Sequence, residues 1–130
     1  MPQENAEVVR RAIQYFGETG EVASECYDPE VEFTTRSDGR GQHTFHGVEG
    51  LRHSVEFFRE VWASSTFEAQ EFVETGEAVV VPLLFHLRAR SGVELEVKEA
   101  WAYWVRSGKI WRVEQHGSKR EALKAVGLAG

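Results

Sequence analysis

"KEAWAYWVRSGKIWRVEQHG", residues 98–117, holds three of the chain's four tryptophans. Apolar and polar residues alternate on both sides of Ser107-Gly108, the pattern of two strands joined by a tight turn. Alternation puts Val97, Glu99, Trp101, Tyr103 and Val105 on one face, and Trp111, Val113 and Gln115 on the matching face of the next strand. A carboxylate, a phenol and an amide therefore turn the same way as two indole rings. Inward faces are ordinarily apolar, so this stretch predicts polar groups lining an interior space.

The same period extends backwards. "TFEAQEFVETG" (66–76) and "EAVVVPLLFHLRAR" (77–90) read as strands joined at Thr75-Gly76, and Ser91-Gly92 turns the chain into "VELEVKEAWAYWVR" (93–106). His86, Arg88 and Arg90 lie opposite Glu94, Glu96 and Lys98, a largely basic face beside a largely acidic one, as cross-strand pairing favours. Three to five antiparallel strands are expected.

Earlier in the chain the period is helical. Val9, Ala12, Ile13 and Phe16 form one stripe, and Val48, Leu51, Val55, Phe58 and Trp62 another, widened by Phe57 and Val61. "EVASECY" (21–27) reads as a short helix ended by Asp28-Pro29. "EVEFTTR" (30–36) reads as a short strand and "SDGRGQHTFHG" (37–47) as a loop. Ser118 and Glu121 have capping-box spacing for a last helix with Gly127 at its end. Helices followed by hairpin-linked strands make an α+β chain.

At 130 residues the chain is read as one domain, 1–130. Its formal charge is −6 with no basic patch, which disfavours nucleic acid. The apolar run "AVVVPLLF" (78–85) falls well short of the roughly 20 residues of a spanning helix. The N-terminus lacks a signal-peptide layout, and Cys26 has no second cysteine to pair with. A cytoplasmic protein is expected.

"YDPEVEFT", "HGVEGLRHSVEFFREVW" and "SGKIWRVEQHGSKREALKAVGL" together resemble the SnoaL-like branch of the NTF2-like superfamily. The resemblance implies an α+β cone, a strongly curved mixed sheet wrapped around N-terminal helices, with a deep apolar pocket. Relatives include polyketide cyclases, ketosteroid isomerases, epoxide hydrolases, dehydratases and pure binding domains, so fold alone does not settle function. Cyclase-type members resemble one another in a histidine on the penultimate strand and an aspartate on the last, positions that fall at Trp101 and Gln115. The isomerase-type base carboxylate falls near Phe33, its donor acid at Trp101 and its helix tyrosine near Ile13. None of these groups is kept.

Glu99 is then the leading acid/base candidate, because desolvation of a carboxyl raises its pKa towards working pH. Tyr103 is a candidate donor to a carbonyl or enolate, and Gln115 a neutral anchor. Phe16, Phe33, Phe58, Trp62, Phe85, Trp101 and Trp111 are expected to line the pocket with Tyr103, as suits a flat apolar ligand. Arg36 reads as a loop arginine or an entrance group. His43, His46 and His53 lack enough rigid partners for a metal site, and no cofactor is implied. Trp104, between Ala100 and Ala102 on the outer face, is an exposed patch that predicts a homodimer. The expected function is to act on or bind a small hydrophobic, carbonyl-bearing ligand by isomerase-, cyclase- or dehydratase-type chemistry. The alternative is a non-catalytic ligand-binding or dimerisation module.

Overall fold

The computed structural model describes residues 2–35 and 43–127. Helix α1 (Pro2–Thr19) leads through a 3-10 turn (Ser24–Cys26) into strand β1 (Tyr27–Thr35). Strand β2 (His43–His46) runs directly into α2 (Gly47–Val61), and α2 into β3 (Trp62–Ala69). A two-residue strand β4 (Val73–Glu74), β5 (Ala78–Ala89), β6 (Glu94–Arg106), β7 (Lys109–His116) and helix α3 (Lys119–Ala125) complete the chain. The seven strands among the described residues form one curved, unclosed mixed sheet in the order β2-β1-β7-β6-β5-β3, with β4 beside β5.

The expected antiparallel set is thus larger and includes one parallel pairing, Phe33 beside Val113. "EVASECY" forms only a single 3-10 turn, and Asp28-Pro29 lies inside β1 rather than ending a helix. Part of the expected loop, His43–His46, pairs with β1 through Phe45 opposite Phe33. Trp62 opens β3 instead of closing α2. Arg36 lies outside the described residues.

The break between β3 and β4 has a local cause. Ala69 pairs with Leu83 and Val73 with Val80, so Pro82 falls opposite the gap. Proline has no N–H to give a ladder, which confines it to interrupted or edge positions; its carbonyl still accepts from Gln70 N at 2.9 Å.

Two layers cover the sheet. On the inner side, Val9 and Ala12 of α1 and Leu51 of α2 pack on Val31, Val79, Val81, Leu83, Tyr103, Ile110 and Val113. Burial of such side chains, at about 25 cal/mol per Å² of apolar surface, is the main stabilising term. Phe57 and Val61 do not widen the α2 stripe; they are 63% and 48% exposed. On the outer side α3 places Ala122, Leu123 and Val126 over Val80, Ala100 and Ala102. Ser118 caps α3 by accepting from Glu121 N at 3.2 Å, and Gly127 follows its end at a φ of 90°.

Gly50 sets the height of α2 above the sheet. A Cβ there would stand 3.1 Å from the Phe45 carbonyl carbon. The bare backbone lets the helix rest on β2 and hold Phe45 beside Phe33.

Candidate functional site

Glu99 lies on the interior face of β6, opposite Leu83 of β5. Trp101 follows two residues on, and its indole Nε1 donates to Glu99 Oε1 at 2.8 Å. Gln115 of β7 pairs directly with Trp101 and reaches diagonally to donate its Nε2 to the same oxygen, also at 2.8 Å. Diagonal neighbours on a sheet lie within reach of long side chains. One carboxylate oxygen is thus held by two N–H groups from two strands, and among the described residues no hydrogen bond reaches Oε2. Glu99 and Gln115 are only partly buried, so this end of the face is accessible.

Trp101 joins that carboxylate to a continuous set of rings. Its centroid lies 5.2 Å from Phe33, 6.1 Å from Phe85 and 6.4 Å from Tyr103. Phe85 continues to Phe58 at 6.4 Å and Phe67 at 5.9 Å. Phe58 then meets Trp62, and Phe67 meets Phe16. Ring pairs at these separations contribute about 0.5–1.5 kcal/mol each beyond their area. Seven of the eight expected rings belong to this set.

Trp111 is the exception. Trp104 pairs with Arg112 while Val105 pairs with Ile110, so Trp111 is the extra residue of a bulge. The bulge turns Ile110 into the core, and Trp111 packs under the Arg106 guanidinium, 4.5 Å from its ring centroid. Two rings absent from the expected set belong to it, Phe45 and Phe67. Phe67 was legible in the alternation of 66–76, but Phe45 sat in an apparent loop.

Tyr103 stands four residues beyond Glu99, about 13 Å along the strand at 3.3 Å per residue, with Trp101 between them. It is 4% exposed. Burial and the neighbouring Tyr27 phenol push its pKa well above the ordinary tyrosine value, so it stays a neutral donor. Cys26 is buried against the same core, and desolvation raises its thiol pKa.

The opposite face of β6 and β7 holds a second polar set. Glu114 and His116 are each 5% exposed. Glu114 Oε1 lies 3.0 Å from His116 Nε2, and Oε2 accepts from Arg112. The Arg112 guanidinium lies over the Trp104 ring, 4.8 Å from its centroid. Ala100 and Ala102, the cross-strand partners of His116 and Glu114, are completely buried under α3. Trp104 therefore keeps only a partly exposed flank.

His46 lies 3.9 Å from Glu32, and among the described residues no three His, Cys, Asp or Glu side chains converge as metal ligands do. A surface hollow of about 320 Å³ lies between α1 and β3, lined by Arg10, Ile13, Gln14, Phe67 and Phe72 among others. Among the described residues no helix is long and apolar enough to cross a membrane.

The family comparison agrees with this architecture. Residues 9–113 match the SnoaL-like domain family, and the chain belongs to it. Its fold is similar to an NTF2-like protein of unknown function from Burkholderia pseudomallei, with a TM-score of 0.77, 21% identity, and coverage of 95% of this chain and 98% of that one. It is also similar to TerC co-crystallized with polyporic acid, with a TM-score of 0.76, 20% identity and the same coverages. Bal32a, from a soil-derived mobile gene cassette, superposes with a TM-score of 0.79 at 16% identity over 96% of this chain and 97% of its own. No curated protein matches the chain by sequence.

Proposed function

We propose that this SnoaL-like protein acts on a small hydrophobic, carbonyl-bearing ligand in an apolar pocket at the Glu99 end of the ring set, with Glu99 as the acid/base group. The observation that carries the reading is the arrangement of the Glu99 carboxylate. Two N–H donors hold Oε1 at 2.8 Å, so the group is positioned, while Oε2 remains an acceptor beside partly exposed rings. A general base needs that combination of fixed position and a free lone pair. Isomerase-, cyclase- or dehydratase-type proton transfer suits it. Tyr103 would donate to the carbonyl from deeper in the core. Gln115 commits one amide N–H to Glu99 and keeps its second N–H and its carbonyl oxygen to anchor the ligand. The similar fold of TerC, crystallized with polyporic acid, supports a small organic ligand.

A second reading is non-catalytic binding. It is favoured by Trp101 and Gln115, which stand where cyclase-type relatives resemble one another in histidine and aspartate and which here orient Glu99 instead. A thermal-shift screen of small aromatic ketones, followed by turnover assays on parent and Glu99→Gln, separates the two. Catalysis predicts that Glu99→Gln keeps binding of a hit and loses its turnover. Binding of a hit with no turnover by the parent selects the second reading, and turnover that survives the substitution removes Glu99 from the chemistry.

The same proposal takes the protein to be a cytoplasmic homodimer joined through the outer sheet face, where Trp104 keeps a partly exposed flank beside Arg112. Sedimentation velocity on parent and Trp104→Ser checks this: a dimer for the parent and a monomer for the variant.

A further inference from the structure

We infer that the Glu99 face selects a small organic ammonium, an aromatic or aralkyl amine in its protonated form. The inference rests on the second reading, that this face binds a small apolar ligand without turnover, since an ammonium on Oε2 occupies the oxygen a base would use. It names the chemistry that reading leaves open. Oε1 of Glu99 is filled by the Trp101 and Gln115 N–H donors, so the group presented to a ligand is Oε2, which accepts hydrogen bonds. Next to it stand Trp101 and Phe85, both partly exposed, with Phe33 packed against Trp101 at 5.2 Å. A cation gains from the face of such a ring when its charge lies within about 6 Å of the centroid, by about 0.5–2 kcal/mol.

The described interior supplies no cation of its own. On β5, β6 and β7 the positions that face inward with Glu99 hold no lysine, arginine or histidine; His43, on the edge strand β2 with the parity of Phe45, is exposed. The arginines whose partners are known are engaged elsewhere. Arg59 donates to Gly20 O, Arg90 to the carbonyls of Glu60 and Arg59, Arg88 to Glu94, and Arg112 to Glu114. A ligand carboxylate would meet Glu99 with like charge, and a neutral ligand would leave Oε2 without a charged partner. An ammonium satisfies both the oxygen and the rings.

The test uses three probes of nearly equal size: 2-phenylethylammonium, 2-phenylethanol and phenylacetate, titrated by intrinsic tryptophan fluorescence and calorimetry. The parent is expected to bind the ammonium about tenfold more tightly than the alcohol, with phenylacetate weakest. In Glu99→Gln the ammonium should fall to about the affinity of the alcohol, and the variant's far-ultraviolet circular dichroism and urea unfolding show that it is folded. If Glu99→Gln does not fold, added salt on the parent gives the same answer: ammonium binding weakens and alcohol binding does not. Equal binding of all three probes, or salt-insensitive ammonium binding, overturns the inference and leaves the apolar pocket standing. Failure of every probe to bind at millimolar concentration overturns both.

Discussion

Gln115 on β7 and Glu99 on β6 are joined by a 2.8 Å hydrogen bond that crosses the sheet diagonally, beside the 2.8 Å bond from Trp101. The two donors sit on positions that are direct cross-strand partners. A hydrogen bond to a charged group contributes about 1.5–3 kcal/mol when buried and less when solvent shares the site. A double-mutant cycle of Glu99→Gln and Gln115→Met, followed by urea unfolding, is expected to give a coupling of about 1 kcal/mol. A coupling near zero would mean that water serves Glu99 equally well.

The second pair of interest is phenolic. Burial, and then the neighbouring residue, raise the pKa of Tyr103 and Tyr27 above the ordinary value of 10. Above about pH 10 the unfolded chain releases these protons while the folded chain retains them. Stability therefore falls as pH rises, by at most about 1.4 kcal/mol per pH unit for each tyrosine. Tyr103→Phe should move the alkaline unfolding transition to higher pH, and absorbance at 295 nm in the parent should rise together with loss of ellipticity.

The ladder under α3 predicts a larger effect. Glu114 is shared between Arg112 and His116, and two of the three groups are almost completely buried. Removing one member strands the others, which costs about 3 kcal/mol in comparable buried pairs. Glu114→Ala should lower stability by about that amount in urea unfolding. Joint replacement Glu114→Leu with His116→Leu should lose less, since the one charge left without its carboxylate, Arg112, is 43% exposed and stays over the Trp104 ring.

Gly50→Ala tests the seating of α2. The added methyl gains up to about 1 kcal/mol of helix propensity. It also meets the Phe45 backbone at 3.1 Å and Phe45 Cβ at 3.2 Å, closer than a side chain fits without displacement. Overpacking of this kind costs about 1–3 kcal/mol. A net loss near 1 kcal/mol is expected, with changed fluorescence from Trp101, whose neighbour Phe33 stacks on Phe45.

Much of this arrangement was legible in the residue pattern. The parity of β6 placed Glu99, Trp101 and Tyr103 on one face because a 13-residue strand offers many repeats of the period. The helix stripes gave Val9, Ala12 and Leu51 correctly for the same reason. The family resemblance supplied the curved mixed sheet that periodicity alone could not. Trp111 was misplaced because a bulge adds one residue, and nothing in "KIWRV" marks where. Strand β2 was missed because four residues are too few to show alternation. Phe57 and Val61 read as core because helix periodicity reports hydrophobicity, not what lies opposite. The burial of Glu114 and His116 was hidden because it depends on α3 folding back as an outer layer. The Gln115–Glu99 bond was likewise hidden, since it is diagonal and needs the register of two strands.

The parallel pairing of β1 with β7 has a kinetic consequence. Phe33 lies beside Val113, eighty residues further along the chain, whereas β5 and β6 meet through a short turn. Closing that long loop costs entropy before its contacts repay it. The β5–β6 hairpin is therefore the natural nucleus, and the β1–β2 ribbon joins the sheet late. Substitutions at Val81 should slow refolding, while those at Val31 should chiefly hasten unfolding.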